Sequence, residues 1–310
     1  MMGKTAFLFS GQGAQYVGMG KDFYDASEKC RGIFEKASEA SGIDLKRICF
    51  EGPDEELNTT ENTQPAVVTV TLAALEMVKE LGITPDVVAG LSLGEYSALT
   101  AAGVFDAETV TALVRKRGRF MQEAVPVGVG KMAAMLGGKP ESVVELCKAA
   151  SEEGFIAPAN YNCPGQIVVG GEAKAVEKAM SMTKEFGILK AVELPVSAPF
   201  HTKMLEPASV KLAAELEKVA LSKPQYPVIC NINAEYLGEG DDIKDILRKQ
   251  VMNSVLWEQT IRKMLADGAD TFVEIGPGAT LTGFVKKIDR TVRTFHVENM
   301  ETLEQLKNEY

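Results

Sequence analysis

Short apolar runs alternate along this chain with longer stretches of helical period. That alternation leaves few folds open beyond a parallel sheet with crossover helices. Ala6–Phe9, Val87–Gly90, Val228–Ile232, Phe272–Ile275 and Thr294–Val297 read as buried strands. Asp22–Ala40, Gln64–Leu81, Asp106–Ala124, Pro207–Leu221, Asp242–Met252 and Val255–Ala266 read as helices. Pro65 and Pro207 suit first-turn positions, and Asp106 suits the cap of the helix it opens.

Between Val127 and Val196 the order changes. Lys131–Leu136 (strand), Glu141–Glu152 (helix), Phe155–Tyr161 (strand), Gln166–Val169 (strand), Ala173–Phe186 (helix) and Leu189–Leu194 (strand) spell β-α-β-β-α-β. Pro126–Gly130 and Pro195–Pro199 supply the Gly and Pro punctuation expected where a chain crosses between units. The 310 residues allow about two units at roughly 150 residues each. The expected fold class is therefore α/β. A large α/β-hydrolase-like domain with a parallel sheet, built from residues 1–126 and 199–310, would carry an inserted ferredoxin-like (βαββαβ) subdomain at residues 127–198.

Composition narrows the partners. Hydrophobic residues at 45% and charged residues at 25% are those of a globular protein, and a net charge of −10 lacks the basic footprint of a nucleic-acid binder. The five cysteines are widely spaced, with no C-x-x-C and no zinc-ligand spacing, which suits a reduced cytoplasm. Only four apolar residues, Ala6–Phe9, precede Ser10-Gly11, too few for a signal-peptide core, and no run approaches the roughly 18 apolar residues of a membrane span. Neither nucleic acid nor membrane is an expected partner.

Gly90-Leu91-Ser92-Leu93-Gly94 is G-x-S-x-G, set directly between an apolar run and the helix-like Glu95–Ala102. In that context it is a nucleophile elbow: close-packed backbone excludes flanking side chains and lifts the serine hydroxyl over a helix N-terminus. The competing reading is a tight turn without chemistry. A neutral serine needs a base, and the chain has only two histidines, His201 and His296. His296 lies in a strand-like run, where a structural role is expected. His201 follows the irregular Pro195–Phe200 stretch at a unit junction, which favours it as base. No third triad member stands out among 43 acidic residues.

Gly11-Gln12-Gly13-Ala14-Gln15-Tyr16 fails as a dinucleotide loop because Tyr16 stands where G-x-G-x-x-G needs glycine. Its other use is to aim amide donors at an anion or oxyanion. Gly276-Pro277-Gly278 reads on its own as a structural strand-to-helix turn. At 100° per residue from Val110, the residues Leu113, Val114, Phe120, Met121 and Ala124 form one stripe, with Arg117 near its centre. A guanidinium facing a core needs a partner, either a protein carboxylate or an anionic ligand.

Taken together these residues resemble the malonyl-CoA:acyl carrier protein transacylase family, essentially end to end. The matching motifs are Gly11–Gln15, Gly90–Tyr96, Arg117-Gly118 followed by Met121-Gln122, Pro199-Phe200-His201, Gln250 ahead of Trp257, and Val273–Gly278. Leu91 replaces the usual histidine before the nucleophile, and Ser10 the usual proline before Gly11. The resemblance implies Ser92 as the acylated nucleophile, His201 as its base, and the backbone carbonyl of Gln250 as the group orienting the imidazole. It further implies an oxyanion hole from the amides of Gln12 and Leu93, with Arg117 clamping the malonyl carboxylate. Phe200 resembles the bulky residue of malonyl-preferring members.

The implied activity is ping-pong transfer of malonyl from malonyl-CoA to the phosphopantetheine thiol of an acyl carrier protein, in fatty-acid or polyketide synthesis. It uses no metal or redox cofactor. Coenzyme A thioesters and the carrier are then the partners, and a cytoplasmic monomer is expected. Carrier proteins are acidic by that resemblance, and Lys286, Lys287 and Arg290 form a candidate docking cluster, whose other reading is a solvated helix face. The rival functions are a serine hydrolase or thioesterase of the same elbow type and a non-catalytic member that only binds the carrier.

Overall fold

The computed structural model describes residues 3–196 and 198–310; Met1, Met2 and Ser197, the last within the expected junction loop, lie outside it. The molecule is a mixed α/β structure with one parallel and one antiparallel sheet. Eight strands follow in chain order: β1 Lys4–Phe9, β2 Val87–Gly90, β3 Gly130–Leu136, β4 Ile156–Cys163, β5 Gln166–Glu172, β6 Lys190–Glu193, β7 Ala269–Ile275 and β8 Arg293–Val297. The parallel sheet has the order β2-β1-β7-β8, and its register aligns Phe9 with Gly90 and Ile275, and Ile275 with Val297. Four strands therefore end level, and the three glycine-bearing turns after β1, β2 and β7 leave from one edge.

Strand side chains alternate between faces, and the core follows that period of two. Phe7, Phe9, Val88, Val273 and Ile275 face the helices Glu28–Ser41, Thr60–Glu80 and Ala107–Glu123. Ala6, Leu8, Ala89 and Phe272 face Trp257, Ile261 and Met264 of helix Trp257–Ala266 and Leu281, Phe284 and Val285 of helix Thr280–Ile288. The antiparallel sheet has the order β4-β5-β3-β6. One of its faces, with Ala133, Met135, Ile167 and Val169, packs on helices Pro140–Ala150 and Ala173–Met182. Met132, Ala134 and Val168 of the opposite face join the first cluster of the parallel sheet, so the antiparallel sheet closes over the larger core.

The strands expected at Ala6–Phe9, Val87–Gly90, Phe272–Ile275 and Thr294–Val297 are present, as are the β-α-β-β-α-β elements between them. Asp106 caps helix Ala107–Glu123 by accepting from the Thr109 amide at 2.7 Å, and Pro207 sits in the first turn of helix Glu206–Leu216.

Several expectations are corrected. Val228–Ile232 forms no strand, only isolated bridges at Val88–Val228 and Ile229–Tyr236. The chain turns back at Ala234, whose φ is 55°, with the Ala234 amide donating to Cys230 O, so no ladder propagates. Asp22–Ala40 is two helices, Lys21–Ala26 and Glu28–Ser41, divided by extended Ser27, which caps the second. The Gln64 helix begins a turn earlier, at Thr60, so Pro65 lies inside it and not in its first turn. The helix from Pro207 stops at Leu216, because the following segment bonds elsewhere: Ser222 N to Val104 O and Gln225 N to Ala102 O. Val255 precedes its helix and instead bridges to β4, donating to Ala159 O and accepting from Tyr161 N, both at 2.9 Å. The sequence reading missed helices Leu45–Glu51, Asp54–Leu57 and Met300–Glu309.

Candidate active site

The turn after β2 is too crowded for a side chain at Gly90 or Gly94, on either side of Leu91-Ser92-Leu93. A Cβ on Gly90 would lie 1.9 Å from Gly94 O, and one on Gly94 would lie 2.1 Å from Phe9 O. Ser92 itself has φ 54° and ψ −103°, a conformation that costs an L-residue on the order of 1–3 kcal/mol. Asn231, fully buried, holds it there: its Oδ1 accepts from Ser92 N at 2.7 Å and its Nδ2 donates to Gly90 O at 2.8 Å. The Gly11 loop leans on the same turn, since a Cβ on Gly11 would meet Leu91 O at 2.5 Å. Among the described residues, the amides of Gln12 and Leu93 have no hydrogen-bond acceptor.

His201 meets this elbow from the far side of the chain. Its Nε2 lies 2.6 Å from Ser92 Oγ, and its Nδ1 lies 2.9 Å from the carbonyl oxygen of Gln250. A carbonyl can only accept, so Nδ1 carries the proton and Nε2 turns its lone pair to the serine hydroxyl. The histidine backbone is held at φ 60° and its amide donates to Val251 O. Burial, reinforced by the nearby Arg117 charge, pushes the imidazole pKa down to about 4. The ring is thus neutral at neutral pH. His296 lies elsewhere, half-buried on β8 and 3.7 Å from Glu298.

Arg117 is brought to the same point by the glycine after it. A Cβ on Gly118 would lie 2.5 Å from Thr60 O, so the helix carrying Arg117 presses directly on the first turn of helix Thr60–Glu80. Its guanidinium, 1% exposed, donates from Nη1 to Gln64 Oε1 at 2.8 Å, and from Nη2 to Gln250 Oε1 at 2.9 Å and Ser92 Oγ at 3.3 Å. It also lies 5.2 Å from the Tyr96 ring centroid. Its partners are neutral amides, a hydroxyl and a ring. Of the two partners open to it from sequence, an internal carboxylate pair is absent among the described residues.

Gln250 joins these parts. Its carbonyl engages His201, its Oε1 engages Arg117, and its Nε2 donates to Ser92 O at 2.8 Å and Glu95 Oε2 at 2.7 Å. Glu95 Oε2 also accepts from Asn231 N at 3.3 Å. Burial raises the Glu95 pKa to about 7, against these two hydrogen bonds and the Arg117 charge, which lower it.

Lys286, Lys287 and Arg290 stand apart from this cluster. Helix Thr280–Ile288 runs back from the turn after β7, so its exposed C-terminal lysines lie roughly 10 Å along it, and Lys287 Nζ reaches Gln166 Oε1 at 3.4 Å. Among the described residues no group of three or more His, Cys, Asp or Glu side chains is gathered as for a metal, and no helix is long and apolar enough to cross a membrane.

Comparison with known proteins gives the chain a family. The acyl transferase domain model matches residues 6–308. The chain belongs to that family. It is 46% identical to the malonyl CoA-acyl carrier protein transacylase of Bacillus subtilis, over 98% of this chain and 96% of the relative. The crystal structure of the malonyl CoA-acyl carrier protein transacylase from Clostridium perfringens superposes with a TM-score of 0.96 at 48% identity, covering 98% of this chain and 96% of that one. A type II PKS acyl-carrier protein in complex with its malonyl-transacylase contains a chain with a TM-score of 0.96 at 38% identity, covering 99% of this chain and all of that one.

Sequence reasoning missed Asn231, Gln64 and Glu95. Glu95 stood within a quoted motif without a role, Asn231 was the one polar residue in an apolar run, and Gln64 carried no signal. Asn231→Ala strands the Ser92 amide and the Gly90 carbonyl, at about 1–3 kcal/mol for each group left unpaired. It should lower stability in urea by about 2 kcal/mol or more and slow labelling of Ser92 by a serine-directed reagent. Wild-type values for both would remove Asn231 from the elbow.

Proposed function

We infer that this chain transfers a malonyl group from malonyl-CoA to the phosphopantetheine thiol of an acyl carrier protein through a malonyl-serine ester. The observation that carries the reading is the approach of Arg117 Nη2 to the same Ser92 Oγ that His201 Nε2 engages. A nucleophile, its base and a buried cation whose direct partners are all neutral meet at one atom, which suits an acyl group ending in a carboxylate.

In the first half-reaction Ser92 Oγ attacks the thioester carbonyl while its proton passes to His201 Nε2. The amides of Gln12 and Leu93, at the loop and helix start packed together at the elbow, donate to the oxyanion. Collapse expels the coenzyme A sulfur, which takes the proton from His201. The carrier thiol then repeats the sequence in reverse, giving its proton to His201 and leaving Ser92 free. Both steps exchange oxygen for sulfur at one acyl carbon, so neither changes oxidation state and no cofactor is required. Phe200, buried next to His201, narrows the site against branched acyl groups.

The strand order β4-β5-β3-β6 with two helices on one face supports a ferredoxin-like subdomain at 127–198. The parallel sheet with its serine elbow supports an α/β-hydrolase-like domain from 1–126 and 199–310. Such a protein would act as a cytoplasmic monomer, with coenzyme A thioesters and an acyl carrier protein as its partners.

His201→Ala should slow transfer by roughly 10²–10⁴-fold, whereas His296→Ala should leave it near normal; reversed effects would move the base. With the His201 pKa near 4, acetyl transfer should hold level from pH 8 down to about 5 and fall only below that. An acid limb near pH 6.5 would show that the histidine is not desolvated.

Arg117→Ala should cripple malonyl transfer while sparing or raising acetyl transfer, because the penalty for a missing carboxylate disappears. kcat/KM for the two thioesters, with the melting temperature, checks this. A parallel fall in both with a large loss of stability would make Arg117 a part of the fold alone.

Charge reversal at Lys286, Lys287 and Arg290 should raise KM for the carrier and leave KM for malonyl-CoA unchanged. Equal effects on both would reject the docking role.

A further inference from the structure

Among the described residues Arg117 has one carboxylate neighbour in the buried network, and it is held at one remove. The Gln250 amide separates the guanidinium from Glu95, accepting from the first at 2.9 Å and donating to the second at 2.7 Å. Other groups around Glu95 carry no charge at neutral pH. His201 is neutral; burial holds the Tyr96 phenol, on the same helix, protonated up to about 12; and burial likewise holds the Cys230 thiol, before Asn231, in its protonated form. The free site therefore balances one guanidinium against one carboxylate.

An acyl group with its own carboxylate upsets that balance. Docked on Arg117 it leaves two carboxylates against a single cation beside side chains that are buried, where an uncompensated charge is expensive. The smallest remedy is one proton from solvent. Among the described residues both hydrogen bonds to the Glu95 carboxylate end on Oε2, so Oε1 can receive that proton without breaking either. Asn231 and Gln250 then keep their grip on the elbow and the base.

We infer that Glu95 is a specificity-determining residue of this site: it is the counter-charge of Arg117 in the free protein, and it is protonated as an anionic acyl group docks. The inference rests on the reading of Arg117 as the carboxylate clamp. A neutral acyl group such as acetyl would leave Glu95 ionised. Preference for malonyl over acetyl therefore depends on pH, while the malonyl carboxylate itself stays ionised throughout. The free-state pKa near 7 places the onset in an accessible range.

The malonyl-to-acetyl ratio of kcat/KM, measured from pH 6 to 9, should be level at the acid end. Above about pH 7 it should fall by up to about tenfold per pH unit, the slope of one linked proton. Because the ratio cancels the titration of His201 and of the departing thiol, a merely structural Glu95 would not produce this slope. Glu95→Gln should hold the ratio flat. A second measurement does not depend on that variant folding. In calorimetric titration of Ser92→Ala protein at pH 8 in phosphate and in Tris, malonyl-CoA binding should take up close to one proton and acetyl-CoA none. Strong malonyl preference with a flat ratio and no uptake would overturn the role of Glu95 and leave the Arg117 reading intact. If Arg117→Ala retained the wild-type preference, the clamp reading would fall, and this inference with it.

Discussion

Gln250 is the residue on which the site's geometry depends, because its two ends serve different halves of the chemistry. The main-chain carbonyl fixes the tautomer of His201, and the side-chain amide fixes the position of Arg117 and the backbone of Ser92. The amide's orientation follows from its neighbours. Arg117 can only donate, and the Ser92 carbonyl and the Glu95 carboxylate can only accept, so oxygen and nitrogen have one consistent assignment. A single residue thereby ties Ser92, His201 and Arg117 together. A displacement of any one is felt by the others.

That unit is built on strain that the rest of the fold restrains. Ser92 and His201 both sit at positive φ, a region an L-residue adopts only when its surroundings require it. For Ser92 the requirement is backbone crowding between Gly90, Gly94 and the end of β1, together with the two hydrogen bonds to Asn231. The parallel sheet makes this possible by ending its strands level, so that turns from β1, β2 and β7 pack against each other at one edge. The antiparallel sheet closes the other side, with Gly170 of β5 close enough to Thr202 that an added Cβ would lie 3.1 Å from its methyl.

What was legible in the sequence divides along physical lines. Central strands were plain because burial on both faces demands unbroken apolar runs, as in Val87–Gly90 and Phe272–Ile275. The elbow, His201 and Arg117 were plain because each violates the pattern around it: glycines in a strand-to-helix turn, one of only two histidines, a charge on an apolar stripe. Gln250 and its carbonyl came from family resemblance and not from spacing, since a main-chain group leaves no trace in residue type. Asn231 was hidden inside an apolar run that looked like a strand, and its side chain bonds to the Ser92 turn. Short helices such as Leu45–Glu51 were missed because seven residues span too few turns to show a period.

A carbonyl in place of an acidic third partner for His201 has a consequence for what the site can accept. An aspartate at that position would place a full negative charge beside the imidazole and within reach of Arg117, two groups Gln250 already touches. The guanidinium would pair with it, and an incoming acyl carboxylate would compete with that internal pair. An aspartate would also raise the histidine pKa, moving the base toward its protonated form at neutral pH. The neutral carbonyl orients the ring without doing either. Arg117 keeps no carboxylate in direct contact among the described residues and His201 stays neutral, the two conditions that the proposed attack of Ser92 on a charged acyl group requires.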